Sequence, residues 1–388
     1  MKEKIVNIEL TPIHVPFKEG VVNVMESGEG GLGMAIPSEE PWLGGDFVIC
    51  RLTSNDGTIG IADVYLWIPE DGTLPEHVTH SISKALSKYV LGENPFNLKR
   101  IRQRMDNNMP RNEIAKALLI NACIDLMGKI TGRPACDLMG GRSVDEIPLA
   151  ALIPLNDAKT MKLYAKAFYQ AGFRSFRYKL GRNINEDVEI SQTLRDTLGP
   201  EVRLRVDYNQ AYRPQEAVRA IKAIEPYGID YAEQPVGIDD FLGLAYVQKR
   251  VDTPLMVHES FFSLKDFIVL VELQAVGVLG INHCRPGGIP NAIQAIDYAW
   301  QRGLGVVIHD QSLGISAAML THLATAKYHS INHATELFGH VMLEDDLIVS
   351  PLKFKKGMVK VPEGPGWGVE LDEKALEKYK TEPIITIQ

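Results

Sequence analysis

Leu204-Arg205-Val206-Asp207, Ile229-Asp230-Tyr231-Ala232-Glu233 and Leu255-Met256-Val257-His258-Glu259 are three short apolar runs, each closed by an acid, and the acids stand at equal intervals of 26 residues. An apolar run closed by one polar side chain is how a buried parallel strand presents its last residue. The interval fits one strand, one helix and two loops, so the three carboxylates are expected to converge at the same ends of consecutive strands. One acid at a strand end arises easily by chance, solvated or paired with Arg or Lys; three in step point to a site. Clustered negative charge needs a cation to hold it. Oxygen ligands without a Cys or His cluster favour a hard divalent ion, so Asp207, Glu233 and Glu259 are assigned to Mg²⁺ before Mn²⁺.

Working outward from these runs, strand-like segments alternate with helix-like ones from about residue 148. The candidate strands are Pro148 to Leu155, Ser175 to Leu180, Val202 to Asp207, Asp230 to Glu233, Leu255 to Glu259, Val278 to Asn282, Val306 to His309 and His333 to Leu337. Helical patterns such as Asp157 to Ala171, Pro214 to Tyr227, Ile289 to Gln301 and Ile315 to Lys327 fill the gaps, so the connections are crossovers and the sheet is parallel. Leu347 to Lys360 reads as irregular or β, leaving the last helix missing. The fold class is α/β, a (β/α)₇β TIM-like barrel with chemistry at the carboxyl ends of its strands.

The chain has 388 residues, more than the roughly 250 of one such barrel, so a second unit is expected. Residues 1–130 read as an α+β capping domain. Alternating stretches, Lys4 to Val15 and Phe47 to Leu52, and the turn Asn55-Asp56-Gly57 suggest an antiparallel meander, and helical spacing follows over His77 to Leu91 and Asn112 to Lys129. Residues 131–350 hold the barrel and 351–388 form a C-terminal segment. Lys18 to Gly45 is long and rich in Gly, Glu and Pro, which suits a lid. Its GxGxxG, at Gly28, Gly30 and Gly33, lacks the strand and helix of a phosphate cradle and reads as part of that lid.

A formal net charge of −8 with no basic stripe argues against nucleic acid as a partner. Cys50, Cys123, Cys136 and Cys284 show no paired spacing, so no zinc or disulfide framework is expected and a reducing cytoplasm fits. No signal peptide or membrane span is visible. Association into a homo-oligomer is expected of a barrel this size.

Reacting groups should lie on the flanking strands of the same rim. Arg177 and Lys179 are two apart on the second strand and share a face. Arg177 and the metal would disfavour the ammonium form of Lys179, fitting it to accept a proton, although two cations on a strand are ordinarily structural. The seventh strand ends in His309-Asp310; a lone His is more often structural, yet this one closes a strand at the active rim. On the eighth, a protonated Glu336 could donate to a developing oxyanion, or could instead pair with Lys or Arg.

These residues carry a resemblance. Arg177-Tyr178-Lys179, Val206-Asp207-Tyr208-Asn209-Gln210, Ala232-Glu233-Gln234-Pro235, His258-Glu259-Ser260, Gly287-Gly288 and Glu336-Leu337-Phe338, with Ala122 to Lys129 and Gly364 to Glu370, resemble the mandelate racemase and muconate lactonizing enzyme group of the enolase superfamily, through nearly the whole chain. The resemblance implies a capping domain, completed by the C-terminal segment, over a (β/α)₇β barrel. It also implies Mg²⁺ on Asp207, Glu233 and Glu259 and removal of the proton beside a carboxylate to give an enediolate. Two positions depart from the group's pattern. Arg177 stands where a Lys is usual and cannot act as a base, so it would bind substrate carboxylate or tune Lys179. Asn282 stands where relatives have a Lys base or an Asp that orients the seventh-strand His, and Asn does neither. The seventh strand can also be aligned one residue over, placing Asp310 in the site instead of His309, since neighbours on a strand face opposite ways.

The expected reaction is dehydration of a sugar acid to a 2-keto acid, with Lys179 as base, His309 assisting the leaving hydroxyl, Glu336 as oxyanion donor, and Arg177, Asn209, Asn282 and Asp310 binding the small carboxylate substrate. The alternative is racemisation or epimerisation of a hydroxy or amino acid derivative, then lactone cycloisomerisation. A non-catalytic, Mg²⁺-dependent carboxylate binder is the reading from another class.

Overall fold

A computed structural model describes residues 3–26, 35, 42–311 and 313–388. Gly28, Gly30, Gly33 and half of the expected lid lie outside the described residues. The part of that segment that is described differs from a plain loop: Glu19–Glu26 is helical, and a strand begins at Gly44.

The N-terminal unit is a four-stranded antiparallel sheet. Strands β1 (Ile5–Pro16), β2 (Gly44–Ser54) and β3 (Ile59–Leu66) form the expected meander, and the C-terminal strand β15 (Ile385–Ile387) pairs with β1 at its other edge. Helix Glu113–Thr131 packs on this sheet; most of it is buried, which is why its sequence is apolar almost all round. Asp125 on this helix accepts from the backbone N–H of Ile61 at 2.8 Å and of Trp367 at 2.7 Å, and pairs with Lys129 at 2.6 Å. The fully buried Trp367 donates its indole N–H to the Ile61 carbonyl. One carboxylate thus ties β3, the long helix and the C-terminal segment together.

Eight parallel strands follow: β5 (Ala151–Ile153), β6 (Ser175–Lys179), β7 (Arg203–Asp207), β8 (Ile229–Glu233), β9 (Leu255–Val257), β10 (Val278–Ile281), β11 (Gly305–Asp310) and β12 (Glu336–Leu337), hydrogen-bonded in sequence order. A parallel bridge between Leu149 and Thr335 brings the first strand beside the last. This is the (β/α)₇β barrel; after β12 only a short helical turn, Gly339–Met342, precedes the next strand. A small sheet of β4 (Glu146–Pro148), β13 (Phe354–Lys355) and β14 (Met358–Lys360) occupies one end of the first expected strand, which therefore splits in two at Leu149.

The outer helices follow the 3.6-residue period. In Pro214–Ile224 the buried positions are Ala217, Ala220, Ile221 and Ile224, one stripe facing the strands. Inside the barrel, Tyr231, Met256, Val278 and Val307 make a small apolar plug separate from the main core. Two residues further along β8 the interior turns polar at Glu233, level with Asp207 of β7. That change of layer places the site.

Candidate active site

Register puts the carboxylates side by side. Lys179 is level with Asp207, and Asp207 with Glu233, across neighbouring strands. Glu259 lies two residues beyond β9, which ends at Val257 and not at Glu259 as the apolar run suggests. The backbone turns sharply here: Asn209, Gln210 and Gln234 all have positive φ, a conformation that non-glycine residues keep mainly where surrounding contacts hold it. Gln234 supplies some of those contacts, with its side chain bonding Val236 and Ser260.

Arg177 is committed to carboxylates instead of being turned toward a substrate. Its guanidinium donates to both Glu233 oxygens at 2.8 and 2.7 Å, bonds Asp207, and lies 3.3 Å from Glu336. Lys179 Nζ is 2.5 Å from Asp207 Oδ2 and 2.5 Å from Asn209 Oδ1. Both ends of the Asn209 amide are occupied, since its Nδ2 donates to Glu259 at 3.2 Å. Asn209 thus spans the lysine and the third carboxylate.

Whether these residues suit a cation can be judged from what they leave unmet. Glu259 Oε2 and both ring nitrogens of His258 are buried without a hydrogen-bond partner. Burial, with Glu70 and Asp207 nearby, pushes Glu259 up to about 8, and burial likewise raises Glu233 well above the carboxylate range. His258 is driven far down by burial and by Arg285, so it is neutral. Glu233, His258 and Glu259 each offer a ligand atom, all within 4.8 Å of one another. A cation fits this set. Asp207 bonds Arg177 and Lys179 and is not one of that trio, and His258 is a neighbour the three-acid repeat did not include.

Glu336 departs from the expectation of a protonated donor. Although buried, it is held below the carboxylate range by Arg205 at 3.0 Å, by Arg177 and by His309, whose Nδ1 is 2.8 Å away. Tyr231 donates to its other oxygen at 3.1 Å. It is an ionised acceptor, as in the pairing alternative. His309, lowered by burial and Arg177 and only partly compensated by Glu336, is neutral.

Asn282 serves the backbone: its Oδ1 accepts from the N–H groups of Cys284 and Arg285 at 3.1 and 2.9 Å, shaping the turn after β10. His309 and Asp310 both line one cavity with Asn282, His258, Tyr65 and Trp67, although they are adjacent. Both belong to β11, and their side chains take different partners, His309 turning to Glu336 and Asp310 to His283. Sequence reasoning missed Arg285, which bonds Glu70, reaches Asp71 at 3.0 Å and donates to the His258 carbonyl. Its position, four residues past the sixth barrel strand, was the available signal.

A barrel whose strand ends carry an acid triad, a lysine and a capping domain defines an enzyme of the enolase type. The profile described as enolase C-terminal domain-like matches residues 160–375, and that of the mandelate racemase/muconate lactonizing enzyme N-terminal domain matches residues 43–140. The chain belongs to the mandelate racemase/muconate lactonizing enzyme group of the enolase superfamily. It is 29% identical over 343 residues to N-succinyl-L-Arg/Lys racemase of Bacillus cereus, covering 85% of this chain and 89% of that protein. It is 33% identical over 286 residues to hydrophobic dipeptide epimerase of Enterococcus faecalis, covering 73% and 80%. Chloromuconate cycloisomerase of Cupriavidus pinatubonensis is 28% identical over 341 residues, covering 86% and 90%. The crystal structure of the B. cereus racemase superposes with a TM-score of 0.89 at 26% identity, covering 99% of this chain and 100% of that one. That of the E. faecalis epimerase, complexed with Mg and the dipeptide L-Leu-L-Tyr, gives 0.84 at 26%, covering 95% and 99%. These relatives racemise, epimerise or cyclise, which favours the alternative reaction over sugar-acid dehydration.

Proposed function

We propose that the protein catalyses 1,1-proton transfer at the carbon beside a carboxylate, inverting the α-centre of an N-acylated amino acid or a dipeptide, with Mg²⁺ at Asp207, Glu233 and Glu259. The observation that carries this is the placement of buried Lys179 at the rim of the carboxylate cluster, in a chain similar along most of its length to enzymes of amino acid derivatives. A hard dication on these ligands would draw electron density from a substrate carboxylate and so ease loss of the neighbouring proton.

The chain's own groups do the rest. Lys179 accepts the α-proton: the C–H bond breaks, an N–H bond forms, and the electron pair passes into the carboxylate. Asp207 and Asn209 fix the direction of Nζ, which decides the face attacked. Arg177 and Arg205 hold Glu233 and Glu336 in place, and Tyr65 and Trp67 from the cap close the cavity against water. Return of a proton to the opposite face inverts the centre.

The test is incubation in D₂O with Mg²⁺ of N-succinyl and N-acetyl amino acids, dipeptides and sugar acids. Inversion with deuterium entering the α-position of an amino acid derivative is expected. Formation of 2-keto-3-deoxy acids from sugar acids, with no inversion elsewhere, would overturn the proposal.

A further inference from the structure

Inversion needs a second acid/base, and a buried cluster not used above supplies one. His283, just past β10, has its Nε2 2.9 Å from Asp310 Oδ2 at the end of β11 and 2.9 Å from Ser316 Oγ. Its Nδ1 is 3.2 Å from the Asn121 amide nitrogen. The Asn121 oxygen accepts from the Ile289 N–H at 2.9 Å, which orients the amide with its NH₂ toward the ring. His283 Nδ1 is therefore the acceptor, and the ring proton sits on Nε2, between Ser316 and Asp310.

Asp310 is 3% exposed and lines the cavity. One of its oxygens accepts from the Gln311 N–H at 2.8 Å. The other, Oδ2, faces His283 Nε2 at 2.9 Å, the same ring nitrogen that lies 2.9 Å from Ser316 Oγ. His309, the competing candidate, has its Nδ1 committed to Glu336 and its ring packed edge-on against His258 and Phe338. Lys179 ends β6 and Asp310 ends β11; β5 and β12 separate them one way round the ring and β7 to β10 the other.

We propose that Asp310 is the acid/base on the face opposite Lys179, and that His283, braced by Ser316 and Asn121, is the positioning residue that holds its carboxylate in the cavity. This deepens the proton-transfer reading and rests on it. For one stereoisomer Lys179 takes the α-proton while the Asp310 carboxylic acid gives its own: the O–H bond breaks, the new C–H bond forms from the substrate's electron pair, and ammonium and carboxylate remain. For the other stereoisomer the Asp310 carboxylate takes the proton and the Lys179 ammonium returns one. Compared with the pattern the sequence resembles, carboxylate and imidazole have exchanged strand ends.

The experiment compares wild type, Asp310→Asn, His283→Gln, His309→Gln and Lys179→Ala by NMR in D₂O, following α-proton exchange from each pure stereoisomer of the substrate that wild type inverts. Asp310→Asn should lose exchange from one stereoisomer by at least about 100-fold and keep it from the other, which also shows that the variant is folded. Lys179→Ala should show the reverse selectivity. His283→Gln should lower kcat on the Asp310 face alone, with KM nearly unchanged, an asymmetry that general loosening of the fold would not produce. Asp310→Asn exchanging both stereoisomers, or neither, overturns the assignment while leaving wild-type inversion standing. So does His309→Gln reproducing the loss predicted for Asp310→Asn. Wild type that inverts no substrate removes the proton-transfer reading and this assignment with it.

Discussion

Glu259 carries the clearest consequence at the scale of one residue. Its ordinary value is 4.5, and burial with Glu70 and Asp207 pushes it up to about 8 in the metal-free protein. Between those values the folded chain holds a proton that the unfolded chain has released, so this group makes metal-free stability fall as pH rises from 4.5 to about 8. A dication must displace that proton to use the oxygen. Mg²⁺ affinity should therefore rise with pH through about 8, with proton release visible by calorimetry in buffers of different ionisation heat. Affinity flat across that range, with no proton released, would contradict the assignment of Glu259 as a ligand. Thermal melting should agree: added Mg²⁺ should raise Tm more at the alkaline end of the window than at the acidic end.

At the scale of the element, the C-terminal segment meets the long cap helix through a contact with no room in it. Gly366 has φ of 64°, and a Cβ there would collide with Asp125. Gly366→Ala should cost at least about 1–2 kcal/mol from backbone strain alone and lower Tm measurably, whereas Gly57→Ala, also at positive φ but in open space, should cost only the strain. Equal losses for the two would show that the packing does not matter. The barrel strands could be read from sequence because strands covered on both faces are mostly apolar, and the acid that closes the runs at Asp207 and Glu233 is conspicuous. Alternation also correctly placed Arg177 and Lys179 on one face. It could not name their partners: the carboxylates that claim Arg177 come from three other strands. Ionisation of Glu336 was hidden for the same reason, since it depends on Arg205 and Arg177 converging inside the barrel. His283 and Arg285 lie in a turn shaped by Asn282, where no period applies. The strand carrying Glu259 stopped two residues early, because His258 and Glu259 already belong to the rim.

For the whole molecule, one guanidinium helps join cap and barrel at the cavity. Arg285, from the barrel, is shared by Glu70 and Asp71, from the cap, and is itself buried. Arg285→Gln leaves two cap acids facing each other without a cation, a loss of about 3–5 kcal/mol for a buried pair. It should lower Tm and raise KM more than it lowers kcat, because it loosens the cavity wall without touching Lys179. An unchanged KM would show that the cap does not shape substrate binding. The pairing of β15 with β1 bears on how the chain is made. During synthesis β1 emerges well before the strand that covers its edge and before the Trp367 that locks β3, with the whole barrel in between. Until then the nascent cap exposes an unpaired strand edge, the kind of surface that recruits other chains. The barrel, built from neighbours in sequence, can form first, so a stretch translated after it decides when the cavity acquires its roof.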